Sequence, residues 1–221
     1  MKILVTGAAG YIGSHTVLEL LEAGYGVLAV DNLRNSSRES LRRVEALTGC
    51  TVPFVEVDIR DEAAMRGVLR EASFDAVMHF AAATSVGESV THPDAYYACN
   101  VEGTRSLLNA IRTAGVERML FSSTCAVYGM ADSPTMSEAT PYDPISPYAR
   151  TKLAVEWMIR DFAHAYGLGF TILRYFNAAG ADPDGAHGED HAPESHLIPL
   201  VLETALGKRE KIVVFGDDYP T

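Results

Sequence analysis

The 221-residue sequence predicts an α/β protein, a doubly wound parallel sheet of Rossmann type with the start of a small C-terminal substrate lobe. Three observations predict it. Short continuous apolar runs alternate with helical segments, the first run opens into the glycine turn Gly7-Ala8-Ala9-Gly10-Tyr11-Ile12-Gly13, and the second run stops at an acidic residue, Asp31. Strands covered by helices on both faces read as unbroken apolar runs, whereas half-solvated strands alternate. Right-handed crossovers between such strands give the doubly wound arrangement.

The elements follow in order. Lys2 to Thr6 reads as a buried strand, and Tyr11 to Ala23 as a helix with Ile12, Val17, Leu20 and Leu21 on its apolar face. Gly26 to Val30 is the second strand, Asn35 to Leu47 a polar helix, Val52 to Val57 a strand ending at Asp58, and Glu62 to Glu71 a helix. Asp75 to Phe80 is a short apolar strand, and Pro93 opens one long helix reaching Ala114. Arg118 to Phe121 is a strand, Pro147 opens a further helix, and Phe170 to Leu173 is a strand. From Asn177 the chain turns to glycine, proline, acidic residues and histidines, which reads as a loop leaving the sheet. A helix from His196 to Leu206 and a short strand from Ile212 to Phe215 are expected after it. This divides the chain into residues 1–176, a nucleotide-binding domain, and 177–221, a partial second lobe.

Composition narrows the function. With 48% hydrophobic residues the chain can bury one substantial core, and a net charge of −11 argues against nucleic acid or an anionic membrane as partner. Cys50, Cys99 and Cys125 lack C-x-x-C spacing, so neither a disulfide framework nor a metal site is expected. No apolar segment approaches the ~18 residues of a membrane span, and a soluble, cytoplasmic protein follows as the expectation.

The glycine turn lies between a strand and a helix, the context a dinucleotide requires. Gly7 would permit the tight turn, Gly10 the approach of a pyrophosphate, and Gly13 close packing of helix on strand. The helix N-terminus then faces the phosphates. Asp31 can accept hydrogen bonds from a ribose diol and would repel a 2′-phosphate, so NAD is favoured over NADP. Asp58 with Ile59 suits the adenine, although an Asp in this position also suits a helix cap. Further on, Ser146-Pro147-Tyr148-Ala149-Arg150-Thr151-Lys152 sets a phenol and an ammonium four residues apart on one helical face. A nearby positive charge would favour the phenolate and make Tyr148 a base. Ser122-Ser123-Thr124 supplies a hydroxyl-rich strand end before it.

The glycine turn, Val57-Asp58-Ile59-Arg60, His79-Phe80-Ala81-Ala82, Ser122-Ser123-Thr124 and the Tyr148/Lys152 pair together resemble the extended short-chain dehydrogenase/reductases. Within them the chain is similar to the UDP-glucose 4-epimerases, through Val86-Gly87-Glu88-Ser89, Asn100-Val101-Glu102-Gly103-Thr104, Arg174-Tyr175-Phe176-Asn177-Ala178-Ala179-Gly180, His196-Leu197-Ile198-Pro199 and Phe215-Gly216-Asp217-Asp218-Tyr219-Pro220-Thr221.

The resemblance implies a cofactor set of Gly7, Gly10, Tyr11, Ile12, Gly13, Asp31, Asn32, Asp58, Ile59, Phe80, Ala81, Ala82, Asn100, Ser122, Tyr148, Lys152 and Tyr175, holding NAD. It implies a reaction in which Tyr148, helped by Lys152, takes the proton of a sugar 4-hydroxyl while hydride leaves C4 for NAD+. Return of the hydride to the other face of the 4-keto sugar interconverts UDP-glucose and UDP-galactose. Thr124 would share the same oxygen. Thr124, Tyr148, Phe176, Asn177, His196, Leu197 and Phe215 would contact the UDP-sugar.

A 4,6-dehydratase of this kind would need Asp-Glu after the threonine, where this chain has Cys125 and Ala126. Another UDP-sugar (N-acetylhexosamine, pentose or uronic acid) and a catalytically silent NAD-binding protein remain as alternatives. Thr84 stands where some relatives carry a lysine toward the cofactor, and the abrupt ending at Thr221 reads as a C-terminal truncation of a longer chain. A homodimer is implied, built on the helices Pro93 to Ala114 and Pro147 to Tyr166, whose apolar residues could equally cover the sheet.

Overall fold

Side chains on successive residues of a strand point to opposite faces, so an unbroken apolar run supplies two hydrophobic layers at once. The computed structural model, which describes residues 1–130, 135–190, 194, 196–214 and 216–217, shows this arrangement. In β1 (Lys2–Thr6), Ile3 and Val5 join one apolar cluster and Leu4 the other. In β2 (Gly26–Asp31), Val27 and Ala29 join the first and Val30 the second. The first cluster is closed by α1 (Tyr11–Glu22) and α2 (Arg38–Thr48), the second by α3 (Glu62–Arg70) and by α6 and α7, defined below.

Six parallel strands form one sheet in the order β3-β2-β1-β4-β5-β6, with β3 Phe54–Glu56, β4 Ala76–His79, β5 Arg118–Thr124 and β6 Gly169–Tyr175. Winding reverses between β1 and β4, and the carboxyl ends of those strands leave the crevice where ligands bind in open α/β sheets. The expected α/β doubly wound fold is the one observed.

Helix starts follow local chemistry. Ser37, Asp61 and Ser146 accept backbone N–H groups at the starts of α2, α3 and α7 (Pro147–Tyr166). Gly49 and Gly167 close α2 and α7 in the left-handed conformation, with φ of 68° and 75°. A short helix, α4 (Val86–Thr91), was not anticipated, although Ser85 caps it by accepting from Glu88 N, the serine-to-glutamate spacing that marks a helix start.

The expected long helix from Pro93 is three pieces: α5 (Pro93–Tyr96), a π-helical turn (Tyr97–Glu102) and α6 (Gly103–Ala114). Asn100 lies in the wide turn and is buried. Its amide donates to the carbonyl of Ala83 and to Thr151 Oγ1, and its oxygen accepts from Ala83 N. The extra residue of the π turn aims this side chain at the loop after β4.

Among the described residues, one expected element is absent. Residues 212–214 pair with no strand, and Val213 and Val214 stand 49% and 76% exposed. A strand needs a hydrogen-bonded neighbour, and β-propensity alone supplies none. Phe215, the last residue of that expected strand, lies outside the described residues. The helix α8 (Leu197–Ala205) does form, but it buries no residue, and Leu197 and Leu206 remain 69% and 70% exposed.

Two glycines give opposite expectations. A Cβ at Gly13 would stand 2.0 Å from the Gly7 carbonyl oxygen, whereas one at Gly67 in α3 would meet nothing within 4 Å. Gly13→Ala should therefore destabilise by about 2–3 kcal/mol as overpacking, while Gly67→Ala should stabilise by about 0.5–1 kcal/mol. Urea unfolding of the two variants beside the parent checks both signs.

Candidate active site

The glycine turn is built by steric necessity. Gly7 adopts φ +67°, and a Cβ there would lie 2.5 Å from Ala81 N, so β1 and β4 exit side by side only with glycine at this place. Gly10 begins α1 and offers no side-chain cap. Helices α2, α3, α4 and α7 all carry one. No side chain at the start of α1 thus competes for its N-terminal donors at the switch point, which is where a pyrophosphate would bind.

Asp31 ends β2 and is buried. Its carboxylate accepts Ala9 N at 3.0 Å, Leu33 N at 2.9 Å and Ser36 Oγ at 2.8 Å. A carboxylate has about four acceptor positions, so one remains for a ribose hydroxyl. Asn32 Nδ2 donates to Asp58 at 2.8 Å, and Arg60 donates to both Asp58 oxygens. These bonds, with Arg60 the largest cause, hold the Asp58 carboxyl at about 2. Asp58 is no helix cap; Asp61 fills that role for α3.

Phe80, Ala81 and Ala82 follow β4 against the turn, and Ile59 is buried under Gly103, where a Cβ would sit 2.9 Å from it. The residues present therefore fit a dinucleotide lying across the carboxyl ends of β1, β2 and β4. Sequence reasoning missed Ser36, Ser40, Arg43 and His187, which line the cleft beside Gly10 and Tyr11. His187 comes from the loop after β6 and binds Ser14 Oγ at 2.9 Å, while Tyr11 donates to the Gly180 carbonyl at 2.7 Å. No local pattern could announce a contact spanning more than 160 residues.

The second group of side chains gathers at the ends of β5 and α7. Thr124 is the last residue of β5, in register with Tyr175, and Ala126 N donates to its Oγ1 at 3.2 Å. The hydroxyl proton of Thr124 is left for the Tyr148 phenol, whose ionised form Thr124 favours. Lys152 is buried one turn along α7 and donates to the Ser122 carbonyl at 2.8 Å. Its Nζ stands 4.9 Å from the Phe121 ring centre and 6.0 Å from that of Tyr148. Behind it, His79 is bracketed by Thr6 and Thr104 and held neutral by burial, down to about 3.

The electrostatics revise the argument from spacing. Burial pushes the Tyr148 phenol up, Cys125 adds to the rise, and Thr124 opposes it. Lys152, four residues on, donates to Ser122 and is not among the groups that shift the phenol. Burial in turn pushes Lys152 down to about 8.

Phe176 and Asn177 follow β6 at the same edge and are exposed, Phe176 to 63%. His196 and Leu197 open α8, with His196 Nδ1 against Glu189 and Glu194. That trio could hold a metal ion, although none was expected from the sequence. Phe215 lies outside the described residues.

The family model described as the NAD dependent epimerase/dehydratase family matches residues 3–221. The chain belongs to this family. The UDP-glucose 4-epimerase of Halalkalibacterium halodurans is 50% identical over 221 residues, covering 100% of this chain and 64% of its own. The human UDP-glucose 4-epimerase is 46% identical over 229 residues, covering 100% of this chain and 66% of its own. Thus the chain spans just under two thirds of the length of these curated relatives. Among solved structures of the family, UDP-glucose 4-epimerase from Bifidobacterium longum in complex with NAD+ and UDP superposes with TM-score 0.96 at 42% identity, over 100% of this chain and 67% of that one. The Brucella ovis enzyme in complex with NAD gives 0.92 at 44% identity, over 100% and 65%.

Lys152 generates a prediction with a definite sign. Its folded pKa of about 8 lies below the ordinary 10.5. The unfolded chain therefore holds more protons between those values, and the parent gains stability as pH rises from 8 to 10.5. Lys152→Met should lack this gain, which amounts to roughly 3 kcal/mol at 1.36 kcal/mol per unit. Denaturant midpoints of parent and variant, compared at pH 7.5 and 10.5, measure it.

Proposed function

We propose that this chain carries the NAD-binding and catalytic part of a UDP-glucose 4-epimerase, interconverting UDP-glucose and UDP-galactose through transient oxidation at C4. The observation that carries the reading is the gathering of Thr124, Tyr148 and the buried Lys152 at the carboxyl edge of the sheet, with the Lys152 ammonium held by the Ser122 carbonyl behind the Tyr148 ring, beside the uncapped start of α1. The relatives named above, with NAD in two solved structures, support the cofactor and the sugar nucleotide.

Each residue then has a definite task. The Gly7–Gly13 turn and the first N–H groups of α1 receive the pyrophosphate, Asp31 and Asn32 the ribose, and Asp58 and Ile59 the adenine side. Phe80, Ala81 and Ala82 form the floor after β4, and Asn100 keeps that floor in place through Ala83. NAD, when bound, accepts hydride from C4 of the sugar and gives it back. Tyr148 takes the 4-hydroxyl proton and later returns it, and Thr124 donates to the phenolate oxygen so that the charge is shared. The Ser122 carbonyl holds the Lys152 ammonium behind the Tyr148 ring, and Tyr175 stands beside Thr124 across the β5–β6 register. Asn177, His196, Leu197 and Phe215, within a lobe formed by residues 177–221, are assigned to the UDP-sugar together with Phe176, the last residue of the first domain. The exposed Tyr97 and Trp157, at 42% and 54%, support a homodimer along the α5–α6 segment and α7. Among the described residues no helix is long and apolar enough to cross a membrane, and the three free cysteines suit a cytoplasmic protein.

The test is conversion of UDP-galactose to UDP-glucose by the purified 221-residue chain, with NAD assayed after denaturation of the same sample. Conversion with stoichiometric NAD is expected. Tyr148→Phe should keep the NAD and lose about 10²–10⁴-fold in kcat. Bound NAD without conversion would overturn the assignment of the sugar, and loss of both would overturn the assignment of the cofactor.

A further inference from the structure

The most deeply buried charge on α7 has no part in the proposed chemistry. Glu156 is 0% exposed and lies two turns from Tyr148 and one from Lys152, on the same helical face. Ser123 Oγ on β5 donates to its Oε1 at 2.5 Å. Arg174 on β6 donates from Nε to Oε1 at 3.0 Å and from Nη2 to Oε2 at 2.6 Å.

The guanidinium continues outward. Its Nη1 donates to the Tyr128 hydroxyl and its Nη2 to the Tyr142 hydroxyl, each at 2.7 Å. It also lies over both rings, 5.2 and 4.8 Å from their centres. Five segments therefore meet at one ion pair: the end of β5, the turn Cys125–Tyr128 after it, the loop through Tyr142, α7 and the end of β6. Ser123 and Arg174 are register partners, and the next register pair is Thr124 with Tyr175.

Stability is a poor reason for this arrangement. A buried ion pair repays its desolvation only with ideal geometry, and apolar replacements of similar volume are often as stable. Fixed geometry is a better one. Thr124 stands on β5 and Tyr148 on α7, and nothing in the local sequence of either sets the distance between their oxygens.

We infer that Glu156 and Arg174 are positioning residues, holding β5, its following turn and α7 so that Thr124 at the end of β5 stays placed against Tyr148 on α7. The inference rests on the roles proposed above for Thr124 and Tyr148. Neither residue is among those assigned above to substrate or cofactor. The pair's effect passes through the placement of Thr124 against Tyr148, which makes it separable from a general loss of packing.

Two readouts on the purified 221-residue chain test it. The first is the ultraviolet titration of Tyr148, taken as the difference between each protein and its Tyr148→Phe counterpart. Thr124 is the group that favours the phenolate. Glu156→Gln should raise the phenolate midpoint as Thr124→Ala does, and should add nothing when combined with Thr124→Ala. The unneutralised Arg174 charge acting alone would lower the midpoint, and a purely structural Glu156 would leave it unmoved. Either result overturns the inference.

The second readout is turnover of UDP-galactose. Glu156→Gln should lose about 10- to 10²-fold in kcat, the scale of a misplacement near 1 Å, with KM and bound NAD little changed. In a Tyr148→Phe background the same substitution should leave the residual rate unchanged, because the path it acts through is already cut. An additive loss there would overturn the inference. Should Glu156→Gln fail to fold, Arg174→Lys decides. It keeps the charge but loses the fork, and must raise the midpoint to a smaller extent; an unmoved midpoint overturns the inference. If the parent shows no turnover, the sugar assignment falls, and the phenol titration decides this inference alone.

Discussion

Burying the Lys152 ammonium is the constraint on which this side of the sheet depends. A lysine loses several kcal/mol when taken from water without partners, and here it is 2% exposed. The end of β5 supplies what offsets this: the Ser122 carbonyl at 2.8 Å and the face of Phe121 at 4.9 Å. Both come from residues directly before Thr124, so the lysine is seated by the same strand end that presents the hydroxyl to Tyr148. The cost of the buried charge and the position of the reacting phenol are thus set by one piece of backbone. His79 and Thr104 close the space below, and burial, followed by the ammonium's own charge, keeps the imidazole neutral.

The dinucleotide half of the site rests on a different constraint, the absence of side chains. Gly7, Gly10 and Gly13 let β1, the exit of β4 and α1 approach until no Cβ would fit at the first or last of them. This leaves the helix start without a side-chain cap, whereas α2, α3, α4 and α7 each open with a capping side chain that takes an N-terminal donor. The two halves meet at the switch between β1 and β4. Asn100 joins them, since its amide ties the loop after β4 to Thr151 on α7.

Much of this was legible in the sequence because its causes are local. The apolar runs gave all six strands, and continuity along Ile3-Leu4-Val5 implied two covered faces before any cluster was seen. Glycine spacing marked the turn, and Ser146-Pro147 marked the start of α7. The π turn was not legible, since Tyr97–Glu102 carries good helical pattern and only its packing against the loop after β4 and α7 widens it. The strand expected at Ile212 shows the converse: β-branched residues propose a strand, and a sheet edge must be within reach to accept it. The lowering of the Tyr148 pKa expected from the i,i+4 spacing failed for a related reason. Spacing places Lys152 on the right face but says nothing of the burial that raises the phenol and pushes Lys152 down to about 8.

The same distinction explains why Glu156 and Arg174 escaped notice. Read along the chain, Glu156 is one more polar residue among those of a long amphipathic helix, and Arg174 ends an apolar strand. Their meaning appears only when β5, β6 and α7 are side by side, because the pair joins residues 18 positions apart through a third, Ser123, 33 positions away. A doubly wound sheet gathers reactive groups at its carboxyl edge from strands that are distant in sequence, yet parallel pairing fixes only heights and strand spacing. The remaining freedom, how far a covering helix slides or rotates over the strand ends, must be removed by directional contacts. Apolar packing is tolerant of small slides, while a forked guanidinium on a buried carboxylate is not. A site that needs a threonine and a tyrosine from different elements within hydrogen-bond reach therefore calls for a charged, satisfied contact just behind it, and the Glu156–Arg174 pair occupies that place.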